Sequence, residues 1–99
     1  MTDPQTLRTN RKRLAQLLAG AQNAADTLRA RSATYAAEAG QAFAHDGEGS
    51  DVARGRTITQ HVAEAVAAME GARQAQQRAD VLAAALVAAD ADIADLSTP

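Results

Sequence analysis

The sequence predicts an all-α protein, a long antiparallel two-helix hairpin with helices at about 4–44 and 51–96, which assembles into a four-helix bundle with a second chain. Three observations predict it. Of the 99 residues 46% are hydrophobic, but 27 of them are alanines, a composition that favours helix over strand. Two seven-residue apolar series run through the two halves, and glycines interrupt the pattern once, near the middle.

The first helix has a defined start. Asp3 before Pro4 places an acceptor beside the orphan amides, and proline at the first helical position loses nothing. The series then runs Leu7, Leu14, Ala21, Leu28, Tyr35 and Ala42, with Leu17, Leu18, Ala24, Ala25 and Ala39 beside it. No proline breaks it. In "HDGEGSD", residues 45–51, Asp46, Gly47, Gly49 and Asp51 form the expected turn, because glycine permits the reversal that ends a helix. The second series runs Ile58, Ala65, Ala72, Ala79, Leu86 and Ile93, flanked by Val62, Ala68, Met69, Ala75, Leu82, Ala89 and Leu96. Ser50 or Asp51 caps this helix, or Thr57 with Gln60 forms a capping box further in.

Folding the chain back near residue 48 matches the halves by size and charge. Leu14, Leu17 and Leu18 come level with Ala79, Leu82 and Leu86, and Gly20, Ala21, Ala24 and Ala25 with Gly71, Ala72 and Ala75. Tyr35 and Phe43 come level with Ile58, His61 and Val62, and together Tyr35, Phe43, Ile58 and Val62 are expected to anchor the turn end. The basic run at 8–13 falls beside the aspartates at 90–95, which helps select an antiparallel register. One alanine-rich seam buries little apolar area against the entropy of ordering such a chain. A second surface is therefore expected, formed by Leu14, Leu18, Val66, Val81, Leu82, Leu86 and Val87, as the site that binds a partner.

Other chemistries have thinner support. Asp46, Glu48 and Asp51 are oxygen donors, but a single short loop lacks the length and terminal bidentate acid of a calcium site. Glu38, His61 and Glu64 are the candidate metal ligands: "HVAE" sets His61 and Glu64 three apart on one helix face, and Glu38 lies across the seam. The bland reading of His61 is an inward-facing ring hydrogen-bonded to Tyr35 or a carboxylate, and no metal or other cofactor is expected. Arg8, Arg11, Lys12 and Arg13 are a basic patch that an alternative reading turns toward nucleic acid. The net charge of −2 and the absence of interleaved aromatics oppose that reading. No arrangement of serine, histidine and acid suggests a catalytic triad, so the chain reads as a non-enzymatic interaction module without a small-molecule substrate. There is no cysteine, hence no disulfide framework. The opening residues carry no long apolar core, so neither a cleaved secretory signal nor a membrane span is expected, and the chain is read as cytoplasmic or as exported without a cleaved signal peptide. Arginine outnumbers lysine, of which Lys12 is the only one, suggesting a high-GC genome.

In layout the chain resembles the small Trp-x-Gly helical hairpins secreted by type VII systems of actinobacteria and their relatives. The shared features are the length, the alanine-rich hairpin, the absence of cysteine and the glycine-containing turn halfway. The resemblance does not extend to short motifs: there is no tryptophan, and Ala39 stands four residues after Tyr35, where the export signature has an acid. It implies a homodimer or heterodimer with another helical protein, acting as a secreted factor or targeting adaptor.

Overall fold

A computed structural model describes residues 3–44 and 51–96. Two helices account for them, α1 (Pro4–Ala44, 41 residues) and α2 (Asp51–Leu96, 46 residues), and no strand occurs among the described residues. The expected turn residues Asp46, Gly47 and Gly49 lie outside the described residues, while Asp51 opens α2. The alternative start at Thr57 is not used. At the other end Asp3 caps α1 as its position suggests: the Gln5 amide donates to Asp3 Oδ1 at 3.2 Å, and the Leu7 amide to the Asp3 carbonyl at 3.1 Å.

Contacts along this helical hairpin group into two compact units. Ala25–Arg73 form one; residues up to Ala24 and from Gln74 form the other. In each, a stretch of α1 packs antiparallel on a stretch of α2 through positions spaced alternately by three and four residues, the pattern of an antiparallel coiled coil. On α2 the seam positions are Ile58, His61, Ala65, Ala68, Ala72, Ala75, Ala79, Leu82, Leu86, Ala89 and Ile93, all buried or half-buried.

In the unit of Ala25–Arg73 the buried side chains are Ala25, Ser32, Ala39, Ala68 and Ala72. Such short side chains let the helix backbones approach closely. Ser32, a polar residue that the apolar series does not mark, occupies a seam position, and its hydroxyl donates to the Ala65 carbonyl of α2 at 2.9 Å. Gly71 makes room for Leu28: a Cβ built on it would fall 3.1 Å from Leu28 Cδ1. In the other unit Ala21 and Ala79 are buried, and Leu7, Leu14, Leu18, Leu82, Leu86 and Ile93 are half-buried. There Arg11 Nε donates to Asp90 Oδ1 at 2.7 Å, the cross-helix charge pairing expected from the two termini, with both partners about half exposed.

Phe43 departs from expectation. It is 76% exposed and does not anchor the turn end. Ala42 holds the seam position, so its neighbour is rotated by about 100° away from it. Val62, next to the seam residue His61, likewise turns outward. No helix among the described residues is long and apolar enough to cross a membrane.

Candidate functional site: exposed apolar surfaces and a histidine cluster

Among the described residues no side chain larger than alanine or serine is fully buried, while eight large apolar side chains stand exposed. They follow from helical spacing. On α2, Val62, Val66 and Met69 are separated by four and three residues and fall within about 60° of arc, forming one stripe along two turns. Their exposures are 47%, 64% and 56%, and all three belong to the unit of Ala25–Arg73, as does Phe43. Just beyond this stripe Arg73 pairs with Glu70 at 2.6 Å; the hydrogen bond to Glu70, and then its charge, raise the Arg73 guanidinium above its ordinary value.

The other unit exposes Leu17, Val81, Val87 and Leu96. Val81 and Val87 are six residues apart, which places them about 120° apart round α2, so they share no face. A shallow apolar groove of about 370 Å³ runs between the helices there, lined by Leu17, Gly20, Ala21, Ala24, Ala75 and Leu82 with Gln16 and Arg78. A Cβ on Gly20 would meet nothing within 4 Å, so no contact inside the chain calls for that glycine. Among the residues expected to bind a partner, the structure thus divides two groups. Leu14, Leu18, Leu82 and Leu86 are half-buried in the seam, whereas Val66, Val81 and Val87 face outward.

Glu38, His61 and Glu64 do come together. His61 Nδ1 lies 3.4 Å from Glu38 Oε2 across the seam and 3.8 Å from Glu64 Oε2 on its own helix. The Tyr35 ring stacks on the imidazole with centroids 6.4 Å apart, and Gln60 Nε2 donates to Glu64 Oε1 at 3.3 Å. Nδ1 itself is shielded from solvent and makes no hydrogen bond, so the expected bond to Tyr35 or a carboxylate is not made at this nitrogen. No group of three His, Cys, Asp or Glu side chains among the described residues has the arrangement to hold a metal ion. Of the basic patch, Arg8, Arg11, Lys12 and Arg13 are all exposed, and Arg11 is engaged by Asp90.

Compared with protein-family models, with curated proteins and with solved structures, the chain has no significant match.

Proposed function

We propose that the chain is a non-enzymatic helical interaction module, which dimerises or pairs with another helical protein to complete a four-helix bundle. The observation that carries this reading is where the apolar residues stand: among the described residues the fully buried apolar side chains are alanines, while four valines, two leucines, a methionine and a phenylalanine are exposed. Burying a large aliphatic side chain contributes roughly 1.5–3 kcal/mol, so another surface that covers these exposed residues adds apolar free energy beyond what the half-buried leucines and isoleucines of the seam supply. Contiguous exposed apolar residues are what an interaction site presents, and Val62, Val66 and Met69 form one such stripe. Docking one helix face into the groove of another bundle supplies the binding energy, and the charged termini set orientation.

Within this reading the type VII secretion resemblance supplies a role, that of secreted substrate or targeting adaptor. Its support is the layout of two long helices without cysteine. Sedimentation of the full chain at low micromolar concentration tests the module itself. A species of at least two chains, or a stable complex with a helical partner, is expected. A fully helical solitary monomer that binds nothing overturns the reading. Appearance of the tagged chain in the medium of a host with an intact type VII system, and its loss when the system's ATPase is deleted, tests the secretion role separately.

A further inference from the structure

We infer that His61 is a pH-sensitive latch across the seam: its protonated imidazole pairs with Glu38 of α1, with Glu64 beside it on α2, and holds the C-terminal part of α1 on α2 in acid. The latch does not depend on the chain being an interaction module.

Three observations converge on one ring. His61 occupies a seam position, and its Nδ1 is shielded from solvent without a hydrogen-bond partner. The same nitrogen faces two carboxylates, Glu38 Oε2 at 3.4 Å across the seam and Glu64 Oε2 at 3.8 Å on its own helix. The side chain as a whole is 26% exposed and borders a shallow recess of about 380 Å³ lined by Glu38, Gln41, Ala42 and His61, so protons reach the ring from solvent. Among the described residues, the titratable groups against the ring are Tyr35 and Glu38 from α1 and Glu64 from α2. Tyr35 stacks on it, and Gln60 holds the other oxygen of Glu64, leaving Oε2 to the imidazole. Glu38 stands six residues before the end of α1 at Ala44, and His61 ten residues after the start of α2 at Asp51. The latch therefore acts where the two helices approach the connection between them.

The chemistry has one sign. In a neutral imidazole one nitrogen donates and the other accepts. With the hydrogen on Nε2, the Nδ1 lone pair faces two carboxylates and a buried acceptor stays unpaired, which costs stability. Protonation makes both nitrogens donors. It gives Nδ1 a hydrogen to offer a carboxylate that stands only slightly beyond ordinary hydrogen-bond length, and it sets one positive charge between two negative ones. Histidine is the side chain whose charge ordinarily changes between about pH 5 and 8. The added stability is thus present at the acid end of that range and is lost as pH rises through it.

Urea unfolding of the full-length protein, followed by circular dichroism at about pH 5.5 and about pH 7.5 and at one protein concentration, tests the latch. The gain in the folding equilibrium constant at the lower pH is expected to be roughly three- to fivefold larger in the wild type than in His61→Gln, the scale of a partly exposed ion pair. Carboxylates elsewhere titrate in both proteins and cancel in the comparison. Glu38→Gln, which keeps the histidine, is expected to lose the same gain. Amide hydrogen exchange, corrected for the intrinsic rate at each pH, is expected to slow in acid around residues 35–44 and 57–64 of the wild type and in neither variant. The same pH response in wild type and Glu38→Gln overturns the latch, and that comparison stands even where His61→Gln is too unstable to measure. Acid protection of these segments that persists in His61→Gln overturns it as well.

Discussion

Two glycines inside helices give the sharpest test of the seam, because the same substitution has opposite surroundings at each. A methyl added at Gly20 meets nothing within 4 Å, so Gly20→Ala changes only the backbone preference. Alanine is better than glycine in a helix interior by about 0.8–1 kcal/mol, and Gly20→Ala is expected to gain most of this. At Gly71 the new methyl falls 3.1 Å from Leu28 Cδ1, tighter than ordinary van der Waals contact. Leu28 is half-buried in the seam, and forcing it off its rotamer costs on the order of 0.5–1.5 kcal/mol, which cancels the backbone gain. The two variants should therefore differ by about 1 kcal/mol, equivalent to roughly 4–8 °C in Tm for a chain of this size. Urea unfolding followed by circular dichroism, at one fixed protein concentration so that association contributes equally, measures the difference. Equal stabilisation by both substitutions would show that Leu28 does not rest against Gly71, and the antiparallel register would have to be redrawn.

Other perturbations probe the same architecture. Ala25→Leu or Ala72→Leu places a large side chain at a fully buried seam position, and urea unfolding should show a loss of about 1–3 kcal/mol. Ser32→Ala removes the hydroxyl that bridges to the Ala65 carbonyl and should cost about 0.5–1.5 kcal/mol, while Ser32→Thr should recover part of it if the hydroxyl can still reach. Arg11→Ala and Asp90→Ala break a half-exposed pair and should each cost under about 1 kcal/mol; in a double-mutant cycle their coupling should shrink in concentrated salt.

Both helix spans could be read from residue order alone, because the signals were local. Asp3 and Pro4 mark a start, the glycines at 47 and 49 mark an interruption, and nothing between them breaks the period. The facing of size on size was also visible, since folding the chain at its midpoint aligns Ala25 with Ala72 and Arg11 with the aspartates. Other features are not legible in the apolar pattern. Ser32 is polar and unmarked by it, although stepping four residues from Leu28 and three on to Tyr35 places it in the seam. Phe43 and Val62 read as inward on hydrophobicity alone, although Ala42 and His61 hold the positions in phase. The separation of Val81 from Val87 round α2 comes from angles about the helix axis, which local hydrophobic density does not supply. The absence of larger buried side chains belongs to tertiary packing: how far a leucine sinks depends on what stands opposite, and local pattern is silent on that.

An interior lined with methyl groups has a further consequence. Where alanine stands opposite alanine, the seam looks much the same after α1 slides seven residues along α2, so those stretches are nearly indifferent to such a shift. Three contacts mark the register besides the matching of large side chains: the Ser32 hydroxyl on the Ala65 carbonyl, Leu28 in the notch at Gly71, and Arg11 on Asp90. They work like the marks on a slide rule, adding little strength while fixing where the two scales line up. Removing all three together should leave helix content nearly intact and yield a population of hairpins with slipped alignment, readable as a spread of distances between spin labels on the two helices.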